Sequence, residues 1–332
     1  MSVTIKDIAK LANVSPATVS RVLNNNTGFI SEATKQKVLR IVKEQGYTPN
    51  PLARSLVTRQ SYTLGAIVPD ILNPFFSELI RGADDTAQKL GYSLILCNSD
   101  DNPEKEKKHI QFLSQRAVDG IILASGSVQT DSAYLDSFHI PVISIDRMMP
   151  QCDSLVASVS TDLEQCGYLP AAHFIQQGHT QIAFLCGRNT YEGNQKRYKG
   201  YCNALKEANI PLREELIKFR GFSHDAGYQM TKELLEQKVS FTAVSAMSDM
   251  LALGAMKALR EANVRIPEDC AVIGCDDVFL SEMLTPPLSS VRRNNYDLAV
   301  KAVELIVSAI RQKEYHYSEV IFPPELILRK TT

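Results

Sequence analysis

An α/β fold is predicted for this chain: an N-terminal three-helix helix-turn-helix head and a hinge helix, then two doubly wound parallel-sheet lobes. Three observations predict it. The first 47 residues carry three short amphipathic segments, each opened by a capping residue. From Tyr62 onward, short apolar runs alternate with helix-length segments. The length, 332 residues, suits a small head plus two lobes of roughly 100 to 150 residues each. The expected boundaries are 1–47 for the head, 48–61 for the hinge helix and linker, and 62–332 for the two-lobed body.

In TIKDIAKLANVSPATVSRVLN, Thr4 can cap a first helix, with Asp7 three residues on in the capping-box position and Ile5, Ile8 and Leu11 or Ala12 on one face. Asn13-Val14 makes a tight turn, because Asn tolerates the left-handed conformation. Ser15 caps a second helix with Pro16 at its favoured first position. That helix buries Val19, Val22 and Leu23 and presents Pro16, Ala17, Ser20, Arg21 and Asn24 on its other face. Small and polar groups there would let it lie closely in a major groove, with Arg21 as the base reader. Ser31 caps a third helix that adds Val38, Ile41 and Val42 to the core, and Gly46 ends it. Any capped helical hairpin would also fit this pattern. Thr48-Pro49 then breaks the chain, Asn50 can cap, and LARSLVTR forms one or two turns with Leu52 and Leu56 on one side. Arg54 and Leu56 suit a minor groove with an apolar wedge; a linker packed on the body is the other reading.

The apolar runs TLGAIV, SLILC, GIILAS, PVISI, IAFLC, FTAVSAM and AVIGC give the rhythm of parallel sheets covered by helices. Ligands of such sheets bind at the carboxyl ends of strands. Those ends carry NPFFSEL, IDR and CDD, so a pocket between two lobes is expected. No glycine-rich phosphate loop follows the first strand and no nucleophile elbow occurs, so neither a nucleotide cofactor nor catalysis is expected. The six histidines have no metal-ligand spacing. Asp146, Arg147, Arg197 and Asp276 have the chemistry to bracket vicinal sugar hydroxyls, and Phe75, Phe76 and Phe222 to cover the C–H face of a ring. Read singly, Asp146-Arg147 also fits a surface ion pair, and Phe75-Phe76 also fits plain core.

Charge is unevenly distributed. Residues 1–60 hold nine Lys/Arg against three Asp/Glu, a net +6, which leaves the remainder at −7 for a total of −1. A basic head on an acidic body suggests a polyanion partner for the head alone; a solvated basic face is the blander reading of the same charge. The seven cysteines (Cys97, Cys152, Cys166, Cys186, Cys202, Cys270, Cys275) show no paired spacing and read as reduced, buried thiols. No apolar run is long enough for a membrane span, and Asp7 and Lys10 interrupt any secretory core, so a cytoplasmic location is expected.

The stretches KDIAKLANVSPATVSRVLN and GYTPNPLARSL closely resemble the DNA-binding head and hinge of the LacI/GalR family of bacterial repressors. The resemblance extends over nearly the whole chain through NPFFSELIRG, QKRYKGY, SDMLALGAM and VIGCDD. It implies base contacts by Pro16, Ala17 and Arg21, phosphate or base-edge contacts by Ser15, Thr18, Ser20 and Asn24, and intercalation by Leu56 at the centre of a palindromic operator. It also implies a body similar to periplasmic sugar-binding proteins, with Phe75, Phe76, Asp146, Arg147, Arg197, Phe222 and Asp276 lining the effector pocket, most like the ribose-type members. Two departures stand out. Ser248-Asp249 replaces the family's common Asn-Asp, shortening a contact to the ligand, and Cys275 stands where an aromatic is frequent. A homodimer is expected whose lobes close on a small sugar effector, folding or melting the Asn50 to Leu56 helix. With no heptad run before the final LRKTT, a tetramer-forming coiled coil is not expected. Two other readings remain: a catabolite regulator of the same family activated by a phosphorylated regulatory protein, and a sugar-transport binding protein, which the basic head and missing signal sequence disfavour.

Overall fold

A computed structural model describes residues 3–23, 28, 30–47, 60–124, 132–146, 149–312 and 316–332. The chain divides into two compact units, Met1–Ser61 and Tyr62–Thr332. Within the first, three helices form as their caps direct: α1 (Ile5–Ala12), α2 (Pro16–Leu23) and α3 (Glu32–Glu44). Thr4 and Asp7 form the reciprocal capping box, and Asn13 ends α1 with φ 57°. Ile8, Ala9, Ala12, Val19, Val22, Val38 and Ile41 meet in one core. Ala12, not Leu11, completes the buried face of α1: Leu11 is 54% exposed.

Thr4→Ala should remove the box and speed hydrogen exchange of the first amides of α1 by about fivefold, the effect of a lost cap. Native-state exchange measured by NMR checks this, and unchanged rates at Asp7 and Ile8 would show that the cap contributes nothing.

In the second unit, one sheet contains β1 (Thr63–Val68), β2 (Ser93–Asn98), β3 (Gly120–Ala124), β4 (Val142–Ile145), β5 (Leu155–Thr161) and β11 (Ser318–Phe322). Its order is β11-β5-β4-β3-β1-β2, all parallel. The other contains β6 (Ile182–Gly187), β7 (Ile217–Arg220), β8 (Ala243–Ala246), β9 (Ala271–Asp276), β10 (Ser289–Arg292) and β12 (Glu325–Ile327). Its order is β12-β10-β9-β8-β6-β7, parallel except for β12 against β10. The helices that cover the sheets are α4 (Pro74–Leu90), α5 (Pro103–Gln115), α6 (Ser132–Asp136), α7 (Leu163–Gln176), α8 (Glu192–Glu207), α9 (His224–Glu236), α10 (Asp249–Glu261), α11 (Leu280–Met283) and α12 (Asn295–Gln312). Both sheets thus repeat one doubly wound order, and each seats its strand ends for ligand binding.

The lobes are not two consecutive blocks of sequence. Leu298, Ala302, Val303 and Ile306 of α12 pack with Leu64, Leu79 and Ile143 in the first lobe's core, although α12 follows the second lobe's β10. The chain therefore crosses between lobes at 161–163, 292–295 and 322–325. Five strands, β5, β7, β10, β11 and β12, are absent from the sequence-based expectation. Strand β5, LVASVST, is buried at every residue, yet its alternating serines mask it as an apolar run. All seven cysteines are free, but Cys152 and Cys202 are only half-buried, which corrects the expectation of uniform burial. Among the described residues no helix is long and apolar enough to cross a membrane.

Candidate functional site

The first candidate surface is one face of α2. Ser15 Oγ accepts from the Thr18 amide at 3.1 Å and shares a hydrogen bond with Thr18 Oγ1 at 2.9 Å, which fixes the start of the helix. Val19 and Val22 are buried in the head, so Pro16, Ala17 and Arg21 are left exposed and Thr18 and Ser20 half-exposed. Ala17 and Arg21 are four residues apart and share a face. Asn24 and the hinge residues Asn50, Arg54 and Leu56 lie outside the described residues, as does Arg147.

The second site is built at the strand ends of the two-lobed unit. After β1, Asn73 caps α4 by accepting from the Phe75 amide at 3.1 Å, and Pro74 starts the helix. This turn buries Phe75 and Phe76 edge to face, with ring centroids 4.8 Å apart. Asp146 follows β4 in the left-handed region, φ 50°, and its Oδ1 accepts from the Thr161 amide at 2.9 Å. In the second lobe Asp276 ends β9 with φ 113°. Left-handed backbone at two aspartates is strain of the kind that persists where surrounding contacts demand it. Arg197, on α8, is 7% exposed; it donates to Asn194 Oδ1 at 3.1 Å and lies 5.4 Å from the Phe222 ring centroid.

Arg293, which the sequence-based reading missed, joins these parts. It lies in the crossover between β10 and α12 and is 3% exposed. Its Nη1 donates to Asp276 Oδ1 at 2.9 Å, its Nη2 to Asp146 Oδ2, and its guanidinium carbon stands 4.5 Å from the Phe75 ring centroid. Its neighbour in the crossover, Asn295, donates to Glu78 Oε2 at 2.9 Å and to the Asp276 carbonyl at 3.2 Å. The signal in the sequence is the polar run Arg292-Arg293-Asn294-Asn295, but the strand it follows, SSVR, is too short and too polar to mark its own end.

Burial pushes the Asp276 carboxyl up to about 6, aided by the like charge of Asp146 and opposed by Arg293 and Arg197. Asp249 is pushed up to about 8, first by burial and then by Asp276, against hydrogen bonds from Ser290 Oγ, Ser281 Oγ and the Val278 amide. Burial alone would lower the Arg293 value, but Asp146 and Asp276 override it and raise it. The site thus holds Phe75, Phe76, Asp146 and Asp276 around Arg293, with Arg197 close enough to act on Asp276. Ser248, 2% exposed, caps α10 by accepting from the Leu251 amide at 3.1 Å, which leaves its hydroxyl proton and one lone pair.

Residues 4–50 match the family described as bacterial regulatory proteins, lacI family, and residues 171–332 match the periplasmic binding protein-like domain. The chain is 36% identical to the HTH-type transcriptional regulator DegA of Bacillus subtilis (strain 168), covering 100% of this chain and 98% of that protein. It is 36% identical to the ribose operon repressor of Halalkalibacterium halodurans, covering 99% and 97%. The lac repressor dimer bound to operator and the anti-inducer ONPF shares its fold with a TM-score of 0.86 and 26% identity, covering 100% of this chain and 99% of that one.

Proposed function

The chain belongs to the lacI family of bacterial regulatory proteins, and from that membership we propose that it represses a sugar-utilisation operon under the control of ribose or a closely related sugar. It is a helix-turn-helix transcriptional regulator and not an enzyme. A homodimer would place two α2 helices on a palindromic operator, with Pro16, Ala17 and Arg21 on base edges and Ser15, Thr18, Ser20 and Asn24 on phosphates or neighbouring edges. Asn50, Arg54 and Leu56 would serve the minor groove. The effector would lie against Phe75, Phe76 and Phe222, its hydroxyls bracketed by Asp146, Arg147, Arg197, Asp276 and Ser248. The observation that carries this reading is the convergence of buried carboxylates and guanidinium groups over aromatic rings at the strand ends of both lobes.

Fluorescence anisotropy on a palindromic operator library at fixed salt, with and without D-ribose and related pentoses, tests it. Expected is specific binding that one sugar weakens by roughly 5- to 150-fold, with DNA weakening that sugar's binding by the same factor. Specific binding that no sugar alters would keep the DNA function and pass control to a phosphorylated regulatory protein.

A further inference from the structure

We propose that Arg293 is a charged clasp between the two lobes: rooted in their crossover, it holds Asp146 of the first and Asp276 of the second at once, and so positions both carboxylates for an effector. The proposal rests on the effector reading only for what the carboxylates then bind; the clasp itself stands on geometry. Each of the three side chains is 5% exposed or less, so each keeps little of the hydration it has in the unfolded chain. A buried charge is tolerated when paired, and truncating one member of a buried pair leaves the other uncompensated. Here one cation bridges two anions that belong to different lobes, so its removal leaves two buried carboxylates close together with Arg197 acting on Asp276 alone. The like charges then oppose the approach of the lobes that a closed cleft requires.

The clasp also narrows what an effector can offer. Asp146 is held by the Thr161 amide and by the guanidinium, and the Asp276 carboxylate by the guanidinium, so both meet at Arg293 with their remaining lone pairs available as acceptors. The Arg293 guanidinium lies over the Phe75 ring and that of Arg197 over the Phe222 ring, so each cation is seated beside a ring that a sugar would face. The Nε of Arg293 and that of Arg197 are buried with no acceptor among the described residues. The matching ligand donates hydroxyls to two carboxylates and places acceptor oxygens at two Nε–H groups, as a polyhydroxylated ring with vicinal hydroxyls does.

The test reads melting temperature against pH for the full chain without effector, in the parent, Arg293→Gln and Arg293→Lys. The charged and titratable groups facing Asp276 are Asp146, Arg293 and Arg197, with Asp249 below it on α10 and the thiols of Cys166 and Cys275 beside it. In the parent, Asp276 titrates near 6, above the ~3.9 of an unfolded aspartate. Its stabilising contribution is therefore complete below about pH 4 and is lost as pH rises to about 6, with no further change above. Without the Arg293 charge the carboxyl holds its proton to higher pH, and the loss continues through neutrality. Arg293→Gln should melt roughly 10 °C lower than the parent at pH 8 and about half that at pH 5.5. Arg293→Lys, which keeps the charge, should follow the parent's pH profile with a smaller, constant deficit. A Gln deficit that is the same at both pH values, or absent, overturns the clasp and leaves Arg293 as packing. Should Arg293→Gln fail to fold, a deficit in Arg293→Lys that grows with pH as steeply as the Gln loss was expected to grow also overturns it. Calorimetric titration of the parent with D-ribose is a separate arm: no heat refutes the ribose reading and leaves the melting result untouched.

Discussion

Arg21→Ala is expected to reduce affinity for the operator by roughly 10- to 100-fold while changing non-specific DNA binding little, the signature of a lost base contact. The reason lies in how α2 is seated. Val19 and Val22 turn inward to the head's core, which fixes the helix's rotation and leaves Ala17 and Arg21 on the outer face. With Pro16 and Ala17 unable to donate from a side chain, the guanidinium is the only long donor on that face within the described part of the helix, and it can reach guanine O6 and N7 together. Lys37→Ala is the control. Removing this exposed charge on α3, proposed to act on phosphate alone, should weaken every sequence about equally and lower the salt slope by about one. Anisotropy across a salt series on operator and scrambled DNA separates the two. If Arg21→Ala weakened both DNAs equally, Arg21 would be a phosphate contact and specificity would have to come from residues elsewhere.

Gly167→Ala should destabilise the two-lobed unit by about 3 kcal/mol or more, lowering its melting temperature by roughly 5–10 °C, and should weaken effector binding. A Cβ at Gly167 would lie 1.8 Å from the Arg197 carbonyl oxygen, and one at Gly200 would lie 1.9 Å from that of Glu164. Both obstacles are backbone, so no rotamer change relieves them; α7 and α8 must separate. The same device recurs between α9 and α10, where Cβ atoms at Gly227 and Gly254 would meet the carbonyls of Leu251 and His224 at 2.2 and 2.0 Å. The α7–α8 contact matters more for function because it sets the backbone of Arg197 itself. Gly227→Ala is the informative comparison: a similar thermal loss is expected from it, with effector affinity in the surviving folded protein much less changed. Thermal denaturation by circular dichroism with sugar titration on both variants checks this. An unchanged melting point for Gly167→Ala would mean that the helices have slack that the close approach does not suggest.

Local rules explain why most of the head was legible. Thr4, Asn13, Ser15 and Ser31 carry out the cap and turn chemistry that their side chains dictate, within three or four residues of themselves. The central strands TLGAIV, GIILA and AVIGC announced themselves because a strand covered on both faces must be apolar throughout. Edge and boundary strands did not: IKFR is half-solvated, and SSVR is short and packed by small groups.

The sequence by itself determined the caps, the central strands, the alternation that makes two parallel sheets, and the family to which the head belongs. Short-range hydrogen bonding and burial on both faces leave marks on neighbouring residues, and those marks can be read in a line. Only the tertiary structure decided that α12 and β11 return to the first lobe, that glycines 33 and 27 residues apart admit helix against helix, and that Arg293 bridges residues 147 and 17 positions away. Those partners meet because the chain crosses between lobes, and no spacing along the sequence encodes which distant charge a buried arginine will find.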